Sequence, residues 1–580
     1  MDANDTPKPG LVRESVTAAN DGMPAICAIE PYATEKHPQQ PLPPAPAQSD
    51  PTQSDTVGLY WRKMKKPGVT KHVGASGPSP ETTAAVVGRR PSVAEVANEE
   101  HKSTWERLWP VIACGAGLFS DGYLNGVIGS VNTMLSAIYP KEYAGSAAQA
   151  NVSSITFAGT VVGMLFFGYT SDHYSRKWSL FVSTLIILLF AALGAGSYGA
   201  HDSIGGLLAA LTAYRFFLGI GIGGEYPAGS VGCAESTGEL KSGTRNRWFI
   251  LFTNVQIDLG FVVAAIVPMI VVLATTENHL RAAWRICLGL GVIPPLSLLY
   301  LRLKLNEPEA YKRESMANTK TPWWLCIKFY WFRLAVVSLI WFIYDFSSYS
   351  FGIFSSTIVA NLLGKNTALW KSFGWNTLIN FFYMPGCILG SFVSDWFGPR
   401  YTLAFGVLAQ AIVGFIMAGC YGPLSHPSNV GGFVVVYGIF LALGELGPGD
   451  NIGLIASKTS ATAVRGQYYG IAAAMGKIGA FVGNRVLVIL YDRYEATDPI
   501  KAGQYPFFVS SALCVLSAAL ALFLLPHIGQ DTIDEEDAKF RAYLESNGYD
   551  VSKLGLHTES RENIVRPSTE TEEQKPREFA

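Results

Sequence analysis

Nine ionisable residues stand inside long apolar stretches of this sequence: Asp121, Arg215, Glu225, Asp258, Asp345, Glu445, Asp450, Lys477 and Arg485. In hydrocarbon each costs several kcal/mol, about 2.5–3.5 on insertion scales, unless it faces a partner or a watery cavity. Six are acids and three are bases. Carboxylates in such a setting can load and release protons near neutral pH, whereas a buried lysine or arginine beside them attracts an anion. The combination points to proton-coupled movement of an anionic solute.

Trp341, Asp345 and Tyr349 fall at i, i+4 and i+8, so on a helix they make one face with an aromatic wall, a carboxylate and a hydroxyl donor. The face reads as a binding stripe, or as an aromatic packing seam in which a neighbour satisfies Asp345. Lys477 lies between Gly476 and Gly479, where small neighbours leave room for a ligand at the ammonium; the alternative is a structural pair with a carboxylate. Gln256 and Asp258 are two apart and cannot share a face, and Gln256 is taken as the one turned to the cavity. Arg485 either touches substrate or snorkels to the outer surface.

The elements that must position these groups are membrane helices. Hydrophobic residues make up 49% of 580 and charged ones only 15%, a balance rare in a water-soluble enzyme of this size. Apolar stretches of 18 to 28 residues, the length that crosses about 30 Å of hydrocarbon, recur between short polar breaks. They cover 108–138, 151–170, 178–198, 205–233, 248–274 and 282–301, then 334–360, 372–394, 403–420, 431–455, 468–491 and 505–526. The fold class is therefore all-α and membrane-spanning, with twelve helices in two sets of six. The expected organisation is a disordered N-terminal tail over 1–104, six-helix halves over 105–303 and 334–526, a linker over 304–333, and a disordered C-terminal tail over 527–580 with at most one short helix near 537–547. Seven Lys and Arg between Arg302 and Arg333 place the linker, and with it both termini, in the cytoplasm. The net charge of −1 gives no basic field for nucleic acid, and the scattered cysteines suit neither a disulfide framework nor a metal site. No nucleophile with a base and no phosphate loop occurs in a polar segment, so an enzyme is not expected. The sequon at Asn151 stands at the start of a span and is expected to be unused.

The break after the second span, Gly168-Tyr-Thr-Ser-Asp172-His-Tyr-Ser-Arg176-Lys177, has a counterpart after the eighth, Gly390-Ser-Phe-Val-Ser-Asp395-Trp-Phe-Gly398-Pro399-Arg400. Each joins a glycine, an Asp at a helix end and a base nearby, the parts of an interhelical charge relay that gates or braces the halves. In the fourth span Arg215 precedes Gly219, Gly221, Gly223 and Gly224, which allow a neighbouring helix to approach, with Arg215 satisfied inside the bundle by a carboxylate or by backbone carbonyls. These glycines follow no strand and lie in an apolar span, so they are not a dinucleotide fingerprint. Both signatures resemble the major facilitator superfamily, although Ser175 replaces the second glycine of the loop motif and Pro399 precedes Arg400.

Within that superfamily the sequence resembles the phosphate:proton symporter branch, through Asp121, Gly223-Gly224-Glu225-Tyr226-Pro227, Gln256, Trp341/Asp345/Tyr349, Gly447-Pro448-Gly449-Asp450-Asn451 and Gly476-Lys477-Ile478-Gly479-Ala480. The resemblance implies that Tyr226, Gln256, Trp341, Asp345, Tyr349 and Lys477 hold a phosphoryl group, that Asp121 and Glu225 belong to the proton path, and that Asp172, Arg176, Lys177, Arg215, Asp395 and Arg400 are gating or structural. The departures are Glu225 for the usual Asp, an apolar residue near Leu124 for a second acid, and Gly449 for an Asn. Smaller side chains would enlarge the pocket for a phosphate carrying an organic group. The linker Glu307-Pro308-Glu309-Ala310-Tyr311-Lys312 and the tail from Phe540 to Asp550 look like fungal glycerophosphoinositol and glycerophosphodiester permeases. The expectation is a monomeric plasma-membrane symporter, driven by the proton gradient without a cofactor, for a small anionic glycerophosphodiester. Inorganic phosphate, another organic anion or an exported metabolite, and a nutrient-sensing receptor are the alternatives.

Overall fold

The computed structural model describes residues 103–144, 146–364 and 367–556; the tail before Ser103, Gly145, residues 365–366 and the chain after Leu556 lie outside the described residues. Among the described residues twelve helices are long and apolar enough to cross a membrane. Spans 1 to 6 run Trp105–Ile138, Ala147–His173, Arg176–Ala195, Ile204–Thr237, Arg245–Thr275 and Glu277–Leu303. Spans 7 to 12 run Trp323–Ile353, Leu369–Phe397, Pro399–Gly419, Pro427–Lys458, Thr462–Tyr491 and Pro499–Leu524. The halves meet where span 2 packs on span 11, span 5 on span 8 and span 1 on span 7.

Local chemistry starts these helices. Ser103 and Glu106 form a capping box before span 1, and Ser146, Ser175 and Ser203 cap spans 2, 3 and 4. The same caps explain the uneven loop repeat. Gly398 enters span 9 at φ +85°, a left-handed conformation that favours glycine, and Pro399 takes the first helical position, whose N–H needs no partner. Ser175 enters span 3 at φ −174°, where any residue fits, and its hydroxyl does the capping.

Spans 2 and 4 touch backbone to backbone, as the glycine spacing predicts: a Cβ at Gly219 would stand 2.2 Å from the Thr156 carbonyl oxygen. Arg215 is answered by carbonyls, donating to Val152 at 2.7 Å and Leu124 at 3.3 Å. Spans 4 and 10 each carry one π-helical stretch at the matching place, Glu225–Ser230 and Glu445–Gly449, and such widened turns recur at functional sites.

Three expectations need correction. Arg302 is no linker charge: it is fully buried at the end of span 6 and grips Glu225 at 2.5 Å through both of its terminal nitrogens. Glu225, a residue of the expected proton path, is thereby held inside the first half, with Ser183 also donating to it at 3.2 Å. The linker is shorter than expected, because the seventh helix begins at Trp323 and buries Arg333 against Glu536 at 2.7 Å. The chain beyond span 12 is structured as far as Leu556: a tail helix, Thr532–Ser546, buries Phe540 and Tyr543 against Phe329 and Tyr330.

Removing one partner of a buried ion pair strands the other charge, at a cost of about 3–5 kcal/mol. Arg302→Met therefore lowers the unfolding temperature of the detergent-solubilised protein sharply. The double change Arg302→Met with Glu225→Gln recovers most of that loss, and strictly additive losses would contradict the pairing.

Candidate functional site

Both halves wall a central cavity. Span 1 supplies Asp121, which accepts from the hydroxyls of Tyr226 and, at 3.1 Å, Tyr349, and from the Asn125 amide at 2.5 Å. Span 11 brings Lys477 to 3.7 Å from the same carboxylate and 3.6 Å from Asp345 on span 7. The ammonium also stands 3.6 Å from the ring centroid of Tyr349 and 4.9 Å from that of Tyr226, a cation–π arrangement. This placement follows from span 11's glycines. A Cβ at Gly479 would lie 2.2 Å from the Phe342 carbonyl oxygen, so the two helices press together with Lys477 and Asp345 at the seam. Trp341 packs beside Gly476 and edge-on to Tyr469, closing the wall.

Of the expected ligand set, Tyr226, Trp341, Asp345, Tyr349 and Lys477 come together, with Asp121 of the expected proton path among them, and Gln256 does not. Its amide donates to the Leu251 carbonyl at 3.2 Å, and helical phase turns Asp258 to the cavity instead. Asp258 belongs to a second carboxyl group, with Glu445 and Asp450 of span 10, which the expected site leaves out. Asn254 donates toward all three, at 3.3, 3.0 and 3.1 Å, and Tyr344 donates to Glu445 at 2.6 Å. Nor do the smaller side chains enlarge the pocket. Space beside Gly449 is filled by the Glu445 carboxylate, 2.0 Å from where a Cβ would stand, and Leu124 packs on Gly291 of span 6. The cavity holds only about 50 Å³ of water-accessible space. That is room for a few waters, well below the roughly 300 Å³ at which ligand pockets begin.

Contacts between the halves bracket the cavity on both sides. At the end that carries the tails, Asp172 binds Arg176 at 2.5 Å and accepts from the Gly466 and Gln467 amides, both at 2.8 Å, so it caps the first turn of span 11 across the half boundary. Arg176 and Arg465 share Glu235 at 3.0 Å each. Lys177 contributes a backbone amide to Glu307. The second copy follows the first in part. Asp395 accepts from the Arg247 amide at 3.3 Å, at the start of span 5, and from Gln530, while Arg400 donates to the Leu522 carbonyl. At the opposite end Thr133 meets Ser356 at 3.3 Å, and Arg485 donates to Asn151 at 2.9 Å.

The sequence model of the family described as "Sugar (and other) transporter" matches residues 109–319 and 308–540. The chain is 50% identical over 477 residues to the major glycerophosphoinositol permease of Candida albicans, covering 81% of this chain and 88% of that protein. It is 51% identical over 460 residues to the glycerophosphocholine permease of the same yeast, covering 79% and 85%. Glycerophosphoinositol transporter 1 of Saccharomyces cerevisiae is 34% identical over 469 residues, covering 80% and 88%. Among solved structures, the major facilitator proton:xylose symporter XylE bound to 6-bromo-6-deoxy-D-glucose superposes with a TM-score of 0.62 at 17% identity, covering 75% of this chain and 98% of that one.

The lock at the tail end holds a titratable group. Asp537 of the tail helix accepts from the Thr462 amide at 2.6 Å and hydroxyl at 2.7 Å, with Arg465 at 3.6 Å. Burial pushes its carboxyl up to about 7, against the opposing pull of Arg465. A carboxyl whose folded value is raised stabilises the docked helix at low pH and loses that contribution as pH climbs from its ordinary range through about 7. Amide exchange in Thr532–Ser546 is thus slower in mildly acidic than in mildly alkaline buffer, after correction for intrinsic exchange. Asp537→Asn removes that difference; an unchanged difference would assign it elsewhere.

Proposed function

The chain belongs to the sugar (and other) transporter family of the major facilitator superfamily, and from that membership we propose that it is a proton-coupled symporter of glycerophosphodiesters, glycerophosphoinositol among them. The carrying observation is Lys477, a buried ammonium held at ion-pair distance by two carboxylates and roofed by two tyrosine rings. A phosphodiester carries one negative charge and strong acceptor oxygens. It displaces a carboxylate from the ammonium when that carboxylate takes a proton, which couples anion entry to proton entry. Tyr226 and Tyr349, which donate to Asp121, are then free to donate to the phosphoryl oxygens.

The fold works by alternating access, the two halves rocking about the midplane site. The contracted cavity corresponds to a closed stage of that cycle, and widening it for a glycerophosphodiester requires the halves to part. The relatives of about 50% identity are named permeases and transporters, which supports uptake of an intact solute over chemical conversion. The basic residues of the linker and of the loops at the same end support cytoplasmic termini in a plasma-membrane protein. One chain encloses the whole cavity, which supports a monomer, and the proton gradient alone supplies the drive, with no cofactor.

Reconstituted into proteoliposomes, the protein accumulates labelled glycerophosphoinositol when the outside is acidic, and excess unlabelled glycerophosphodiester competes better than inorganic phosphate. A charge-assisted hydrogen bond contributes about 1.5–3 kcal/mol, so Lys477→Ala lowers uptake by about ten- to a hundredfold. Uptake that survives this change undiminished, or that phosphate alone suppresses, would reject the reading.

A further inference from the structure

Asp258, Glu445 and Asp450 are buried, line the central cavity and form no ion pair among the described residues. Their six carboxyl oxygens face a short supply of hydrogen. The Asn254 amide nitrogen stands within bonding distance of one oxygen on each carboxyl, yet it carries two hydrogens for three acceptors. Tyr344 supplies one more to Glu445. Oδ2 of Asp450, a residue only 1% exposed, has no donor among the described residues. Among the described residues, the groups that face the cluster from other elements add no cation paired to it. Span 8 brings the Cys387 thiol to Asp258 and the Tyr383 hydroxyl nearby, span 7 brings Tyr344, and Lys477 of span 11 acts on Glu445 from a distance while paired to Asp121 and Asp345.

The internal repeat sharpens the contrast. Glu225 opens the π-helical turn of span 4 and receives Arg302 from span 6. Glu445 opens the matching turn of span 10, but span 12 has no arginine or lysine after Lys501. The counterpart of Arg302 is missing. Three like charges with no cation cannot share a buried site, so protons must occupy it.

We propose that Asp258, Glu445 and Asp450 form the proton-loading station of this transporter, closing its two halves on one another when protonated and parting them when ionised. The inference builds on the symport reading above. Asp258 and Asn254 belong to the first half, and Glu445 and Asp450 to the second, so the cluster straddles the surface along which the halves move. Protonated, the carboxyls add the O–H donors that the cluster lacks and bind across this surface. Ionised, they repel across it. Protons are taken from water on the side to which the cavity opens and returned to water on the other, with no other species consumed. Asp121 belongs to the separate Lys477 site, with two tyrosine hydroxyls, an asparagine amide and the ammonium around it.

The test uses the full chain in proteoliposomes, with labelled glycerophosphoinositol as the probe, in wild type and in Asp258→Asn, Glu445→Gln and Asp450→Asn. Two quantities are measured: accumulation driven by an imposed pH gradient, and counterflow at equal pH on both sides across a range of pH values. Each coupled proton supports about a tenfold accumulation per pH unit. The variants are expected to lose that gain and to show counterflow with a flattened pH profile. Variants that accumulate with the wild-type gradient dependence overturn the station while leaving symport in place. Loss of counterflow in all three, at every pH, assigns the cluster a structural role and also overturns it. A wild type that ignores the gradient removes the symport reading itself, and the station with it.

Discussion

A charge carried into the middle of a membrane must be met by an opposite charge, by dipoles or by a proton, and this chain uses all three solutions at named places. Arg215 is met by carbonyl dipoles, Glu225 by Arg302, and Lys477 by a carboxylate from each half. The last of these organises the centre. Because Asp121 comes from span 1 and Asp345 and Lys477 from spans 7 and 11, the pairing cannot persist unless those helices meet on the axis of the molecule. The glycine seam between spans 7 and 11 and the contact of span 1 with span 7 are the packing that this electrostatic requirement selects.

The two-fold repeat shows what each half needs and where the halves diverge. Asp172 caps span 11 and Asp395 contacts the first turn of span 5, so each half seats a carboxylate on a helix start of the other. That arrangement satisfies orphan N–H groups, favours negative charge at a helix N-terminus and holds the tail-side end closed. The π-helical turns of spans 4 and 10 repeat as well. Yet the glutamate in one is neutralised by an arginine, and the glutamate in the other joins two aspartates. A duplicated frame has thus kept its joints and altered its buried charge.

Much of this was legible in the sequence because lipid leaves few solutions. Span number, the loop repeat and the ionisable residues of spans 1, 7 and 11 follow from length, spacing and the cost of burial. The misses have physical reasons. Arg302 lies at the end of a span where a topogenic arginine would also lie, and only three-dimensional packing tells that its guanidinium turns inward to Glu225. Gln256 and Asp258 are two positions apart, and helix rotation, set by contact with spans 1 and 8, decides which faces the cavity. Gly449 read as a vacancy because the side chain that fills it, Glu445, reaches back along its own helix. A tail helix near 537–547 follows from the sequence, but its docking by Glu536 and Asp537 depends on arginines of spans 7 and 11 that no local pattern connects to it.

The contacts that close the two ends differ in kind, and the difference bears on how the cavity opens. At the tail end, parting the halves breaks charged contacts, Arg465 from Glu235 and Asp172 from the start of span 11, although Arg176 stays with Asp172 and Glu235, and Arg465 with Asp537. At the other end it separates the hydroxyls of Thr133 and Ser356, and an arginine that can turn to water on leaving Asn151. Neutral partners exchange protein for solvent at little net cost, roughly 0.5–1.5 kcal/mol for each hydrogen bond. The molecule is therefore closed unequally, by ion pairs at the tail end and by hydrogen bonds at the other. A proton-dependent cluster between the halves then has leverage, because it adds or removes repulsion at the one level of the interface where neither set of contacts reaches.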